Sequence, residues 1–313
     1  MAQNLTSHRP GLAVSLKLAA IFLFVVLGAL VKATADEVPP GQAVFFRAAF
    51  AIPVILVWLA LRGQLRQGLI TTRPGYHVIR GIMGTTAMGL TFTGLGLLPL
   101  PEVTAIGFAT PLFTVILAAL LLGERIRLIR VSAVLIGLVG VTIMLWPRLS
   151  GTGDLQDGAA MGALFILGAT VLRSFVQIHV RRMVETEHTA AIVFYFSLTA
   201  AGLSLVTVPF GWVMPSAQAL GLLVCAGILG GLGQILITSA YRFGGASLLA
   251  PYEYASMIFA VVIGYVWFGE TPTLVMLAGA GLVIAGGGLV IWRERQLGME
   301  RAKTRAVSDP KAG

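Results

Sequence analysis

Apolar residues run along the chain in blocks of about 18 to 22, from Leu12 to Trp292, separated by short stretches rich in Pro, Gly and Arg. Each block matches the roughly 20-residue helix that crosses about 30 Å of hydrocarbon. Reading the block ends against turn residues predicts ten spans: 12–34, 41–62, 76–97, 101–122, 129–146, 159–181, 189–210, 216–240, 248–268 and 273–292. Several begin with helix-entry chemistry: Pro101 with Glu102 in the first turn, Ser216 as N-cap, and Thr271 as N-cap with Pro272 at the first helical position. Gly227-xxx-Gly231, Gly81-xx-Gly84 and Gly286-Gly287-Gly288 are read as close helix crossings. The pattern specifies an all-α integral membrane protein.

Composition agrees and adds orientation. Of 313 residues 57% are hydrophobic and 11% charged, against roughly 45–50% and 25% in soluble domains. The formal charge of +9 sits in loops without interleaved aromatics, which argues for topology and against nucleic acid. With the N-terminus inside, inner segments hold about 18 of the 22 Lys and Arg residues, including Arg62, Arg66, Arg73, Arg125, Arg127, Arg130, Arg181, Arg182 and a basic tail from Arg293. Lys32 and Arg148 fall at outer loops. Short cytoplasmic loops retain basic residues, so both termini are expected in the cytoplasm of a bacterial inner-membrane protein. Lys17, the apolar stretch to Val31 and Ala33–Asp36 have the layout of a signal peptide, but the further spans that follow at hairpin distance favour an ordinary first span. The lone Cys225 excludes an intramolecular disulfide, and the sequon at Asn4 is inert on the cytoplasmic side.

The sequence repeats. Shifted by 146 residues, GFATPLFTVILAALLLGERIRLIRVSAVLIGLVGVTIMLW (107–146) aligns with EYASMIFAVVIGYVWFGETPTLVMLAGAGLVIAGGGLVIW (253–292). Phe113 meets Phe259, Gly123–Glu124 meets Gly269–Glu270, and Trp146 meets Trp292. The loop after Glu124 is basic and the one after Glu270 is not, as required if five-span halves enter the membrane in opposite senses. The expected organisation is a cytoplasmic tail (1–11), a first five-helix repeat (12–146), an external linker (147–158), a second, inverted five-helix repeat (159–292) and a basic cytoplasmic tail (293–313). Inverted repeats with a site between them suit alternating access.

At PLFTVILAALLLGERI, then GLVGVTIML, and again at Gly269–Glu270, the sequence resembles the drug/metabolite transporter superfamily in its EamA-like branch, to which YddG-type amino-acid exporters belong. The resemblance covers Leu12 to Trp292. It implies a ten-helix inverted-repeat bundle, a central cavity among spans three, four, eight and nine, and export of small molecules. The copies differ in proline: Pro111 faces Met257, and the second copy has Pro251 instead.

Ionisable groups inside spans are costly and by default face a cavity or a partner. Glu253 is the first candidate for contact with substrate or proton. The competing reading is a structural lock, bonded to Arg173 at similar depth or to backbone freed by Pro251. Tyr252 and Tyr254 flank the acid and offer π faces and hydroxyls. Arg47 is a receptor for a carboxylate, or else snorkels outward or pairs with Glu102. Gln234 needs a partner in hydrocarbon. His77 and Arg80 are read as solvated residues at the inner edge, with His77 a candidate proton switch. Glu124 and Glu270 are read as caps for the helices that follow them, and Pro53 and Pro111 as bends; Pro111, Pro251 and His77 are the gating candidates.

No nucleotide-binding, metal or hydrolase motif occurs; neither cofactor nor metal is expected. The expected function is a secondary transporter of small polar metabolites, amino-acid export above all, with lipid as its surroundings and proton coupling through Glu253 open. The alternative is an uptake carrier for a vitamin or nucleoside-like metabolite such as riboflavin or S-adenosylmethionine. A membrane enzyme or a channel is the remaining class.

Overall fold

A computed structural model describes residues 9–122, 128–149, 158–244 and 246–308. The Asn4 sequon, Glu124, Arg125 and Arg127 lie outside the described residues. Prolines start many of the helices, since their fixed φ and missing N–H suit a first turn. Pro10, Pro40 and Pro74 open α1 (Pro10–Lys32), α2 (Pro40–Leu61) and α4 (Pro74–Leu97), with a short α3 (Leu65–Gly68) between the last two. Then follow α5 (Leu100–Gly107), α6 (Thr110–Leu122), α7 (Leu128–Leu149), α8 (Ala159–Thr186), α9 (Thr189–Ser204), α10 (Ala217–Phe243), α11 (Ala246–Leu249), α12 (Ala255–Phe268) and α13 (Leu274–Ser308). A 3-10 turn extends α9 through Leu205–Phe210, and another, Ala250–Tyr254, joins α11 to α12.

These segments fall in order onto the ten expected spans, and no strand occurs among the described residues. Among those residues α1, α2, α8, α9 with its 3-10 extension, and α10 are each long and apolar enough to cross a membrane. The fourth and ninth spans are discontinuous. The fourth breaks at Phe108–Ala109, between α5 and α6; the ninth breaks in the 3-10 turn before α12. A shift of 146 residues superposes the two breaks, so the repeat seen in sequence is also a repeat of where helical hydrogen bonding stops. Pro111 is therefore not the mid-span bend expected of it: it opens α6, where its missing N–H breaks no helical hydrogen bond.

Packing repeats in the same way. The two halves cross at α7 with α13, α2 with α9, and α5 with α12. The α1–α10 and α1–α12 contacts also join the halves, and α4–α8 and α6–α8 match them. Exchanging each span for the one five places on maps the most extensive contacts onto one another. The core shared by the halves includes Leu98, Ile106, Leu112, Ile166 and Leu223.

Close crossings use glycine because hydrocarbon gives helices no hydrophobic reason to associate. A Cβ on Gly140 of α7 would stand 2.6 Å from the Gly279 carbonyl oxygen of α13, and one on Gly279 would meet the Gly140 carbonyl at the same distance. Gly227 and Gly231 of α10 lie against Phe50 and Ala51 of α2, as the spacing predicts.

Two boundaries differ from expectation and one agrees. Thr273, not Thr271, caps α13, accepting the Met276 N–H at 3.1 Å. Helix α13 does not end at residue 292 but runs to Ser308. Ser216 does cap α10, accepting from Ala219 at 3.1 Å.

Replacing Gly279 by Ala should cost about 1–3 kcal/mol through overpacking and lower the melting temperature in detergent. Gly281→Ala, with nothing within 4 Å of the added carbon, should leave it unchanged. Equal behaviour of the two variants would refute the glycine seam.

Candidate functional site

The two broken spans meet where α5 packs on α12, and the 3-10 turn of the ninth span places Glu253 beside α1. Lys17 Nζ lies 2.8 Å from Glu253 Oε1 and 2.6 Å from Oε2. The pair is lopsided: the lysine side chain is 2% exposed, the carboxylate 41%. Lys17 also stands 5.5 Å from the centre of the Tyr241 ring. A buried ammonium is thus held by a carboxylate whose other side is open.

Lys17, not Arg173, is the partner of Glu253. Arg173 Nη2 instead donates to Thr91 Oγ1 at 2.5 Å, tying α8 to α4. It lies next to the first break, where a Cβ on Gly107 would be 3.6 Å from its Nη1. The neighbouring Ser174 donates to the Thr110 carbonyl at 2.9 Å, fastening α8 to the first turn of α6. Each break therefore has a cation beside it, and the second also has an acid.

Tyr254 packs edge-on against Phe108, with ring centres 5.2 Å apart, so one aromatic from each break touches the other. Its hydroxyl abuts Gly287 of α13 and has no hydrogen-bond partner. Tyr252 is half-buried in the 3-10 turn, and Gln234 is half-buried on α10, the helix that lies along α1. Pro251 sits inside the 3-10 turn.

Arg47 and Arg80 occupy a second region. Neither is at a wet edge: they are 4% and 7% exposed. Arg47 neither snorkels nor reaches a carboxylate among the described residues; it lies over the Phe196 ring.

The ends of the bundle are tied by acids. At one end Lys32 bonds Glu270 at 3.1 Å and the carbonyls of Leu95 and Leu98 at 3.2 and 2.7 Å. Glu270 accepts the Leu100 N–H at 2.8 Å, so it caps α5 across the bundle rather than the helix that follows it. At the opposite end Glu187 gathers the loop before α4. It accepts from the Thr72 N–H at 3.0 Å, the Thr72 hydroxyl at 2.8 Å and the Arg73 N–H at 3.1 Å, with His77 Nε2 at 3.4 Å. His77 is buried against Tyr195 rather than solvated. Burial works to raise the Glu187 carboxyl, but hydrogen bonds from Thr72 and His77 outweigh it and hold it below the ordinary carboxylate value.

Sequence reading missed Lys17 as a site residue, taking it for the charged flank of a leader-like segment. The available signal was its place inside an apolar block, since a cation there requires an acid.

The profile of the EamA-like transporter family matches residues 11–146 and again 160–292, coinciding with the two halves. The pseudopaline exporter CntI of Pseudomonas aeruginosa (strain UCBPP-PA14) is 30% identical over 278 residues, 87% of this chain and 93% of that protein. The S-adenosylmethionine uptake transporter of Rickettsia prowazekii is 29% identical over 255 residues, 82% and 84% of the two chains. The riboflavin transporter of Vibrio cholerae is 27% identical over 266 residues, 84% and 87%. A crystal structure of 24% identity superposes with a TM-score of 0.64 over 91% of this chain and 98% of its own, which shows a shared fold. The chain belongs to the EamA-like transporter family. It is a multi-pass membrane transporter of small molecules, and its family and relatives are carriers rather than enzymes.

Two outcomes follow. Glu253→Gln strands a buried ammonium, costing on the order of 3 kcal/mol, whereas Lys17→Met leaves a carboxylate that is already half open. Melting in detergent should show the larger loss for Glu253→Gln and a recovery in the double variant; equal losses without recovery would show that the pair does not hold the junction.

The depressed Glu187 carboxyl contributes stability that is present above the unfolded value of about 4.3 and lost as pH falls through the lower folded value. Glu187→Gln should melt lower than the parent at pH 7, with the gap closing in acid. A gap that stays constant from pH 7 to well below about 4.3 contradicts this.

Proposed function

We propose that the protein is a secondary carrier that moves small zwitterionic metabolites of amino-acid type outward across a bacterial cytoplasmic membrane, both termini inside, by alternating access between its two halves. The observation that carries this reading is the juxtaposition at the helix breaks: Glu253 with an open carboxylate face, Lys17 behind it, and Arg173 by the matching break. An acid on one broken helix and a guanidinium beside the other suit the ammonium and carboxylate of one small ligand. Discontinuous helices also bring unpaired backbone groups to such a site. Tyr252, Tyr254 and Gln234 would orient the cargo. The similarity to a pseudopaline exporter supports the outward direction.

A second reading is uptake of a flat or cationic nucleoside-like metabolite. It is favoured by the Phe108–Tyr254 aromatic pair beside Glu253 and by similarity to carriers named for S-adenosylmethionine and riboflavin.

Flux into proteoliposomes, for a panel of amino acids, riboflavin and S-adenosylmethionine with and without a pH gradient, separates the two. Saturable amino-acid flux is expected. If a proton is coupled through Glu253, Glu253→Gln should abolish pH-driven flux and spare exchange down a substrate gradient. Amino-acid silence alongside vitamin or nucleoside flux would replace the first reading by the second.

A further inference from the structure

We propose that Arg47 and Arg80 form a binding site for a small monovalent anion, a halide ion or a carboxylate group, between α2, α4 and α9. Both guanidiniums lie against one ring: the carbon of Arg80 is 4.0 Å, and that of Arg47 5.5 Å, from the centre of Phe196. That ring is itself buried, at 3% exposure. Two like charges are thereby drawn together in the interior of the bundle. A π face attracts a cation but accepts few of the hydrogen bonds that a guanidinium offers, and Arg47 Nη1 and Arg80 Nε are buried without a partner.

The flanking helices offer no counter-charge. The helices around the pair, α2, α4, α9 and α10, contain not one Asp or Glu. Glycines clear the ground beside both side chains: a Cβ on Gly84 would collide with Arg80 Nη1, and one on Gly230 would stand 2.9 Å from Arg47 Nε. Thr85 and Ser197, the sequence neighbours of Gly84 and Phe196, add two more buried hydroxyls without partners. Orphaned donors, doubled positive charge and absent carboxylates together define the chemistry of an anion receptor. Charged donors bind such anions through short, strong hydrogen bonds. The site does not depend on the cargo reading, because a resident inorganic ion and the carboxylate end of an organic ligand satisfy it alike.

Thermal unfolding of the purified full chain in neutral detergent tests it, in sodium chloride, sodium acetate or bulky sodium isethionate at equal sodium concentration. A ligand that binds only the folded state raises its melting point saturably. Chloride, acetate or both should raise the midpoint by several degrees over isethionate, and Arg47→Gln and Arg80→Gln should lose the difference. Chloride alone identifies an inorganic ion; acetate alone identifies a carboxylate group. Identical midpoints in the three salts, or an undiminished response in both variants, overturn the proposal. If the glutamine variants are not recovered folded, Arg80→Lys keeps the charge but loses the planar fork and should raise the half-saturating concentration about tenfold; an unchanged value also overturns it.

Discussion

A lysine ammonium sunk among apolar helices is the constraint around which this bundle is arranged. Hydrocarbon does not hydrate it, so the charge has to be met by protein. In this fold the carboxylate comes from a span 236 residues away. For Glu253 to reach Lys17 the ninth span gives up regular α-helix and passes through a 3-10 turn, which also brings Tyr252 and Tyr254 into the interior. The polar locus and the break in the helix are one feature seen from two sides.

The twin of that break lies in the fourth span, in the position that an internal repeat requires. Its chemistry has diverged: Gly107 stands where Glu253 would be, and the nearby charge is Arg173, held by a threonine hydroxyl. Two related breaks thus have unlike groups beside them across one junction. On the proposed reading, that asymmetry gives a symmetric scaffold a direction in which to orient a ligand with two different ends.

The fold was legible because hydropathy blocks and lysine–arginine counts report on solvent, and solvent dictates spans. The repeat was legible because Gly123–Glu124 and Gly269–Glu270 survive in register. Partners were not. Nothing local in the sequence couples Lys17 to Glu253 or Glu270 to the first turn of α5, since these contacts are fixed by how distant helices cross. The misreadings of His77 and Arg80 have a similar cause: distance from a span end measures depth, whereas their burial comes from the face of α4 that meets α9. Pro111 misled for a local reason, because its effect depends on whether a helix continues past it or begins there.

Helix α1 carries two lysines fifteen positions apart, and each grips an acid at one end of the same distant segment: Lys17 holds Glu253 before α12, and Lys32 holds Glu270 after it. At 1.5 Å per residue the two grips are about 22 Å apart. A rod pinned at two such points can neither slide along its neighbour nor pivot about either pin. α1 and the ninth span therefore travel as a single body while both ties hold. In the counterpart pair, α8 with the fourth span, one side-chain bond among the described residues, Ser174 to the Thr110 carbonyl, joins α8 to α6. The two symmetry-related helix pairs are therefore fastened unequally, one at both ends and the other at its break.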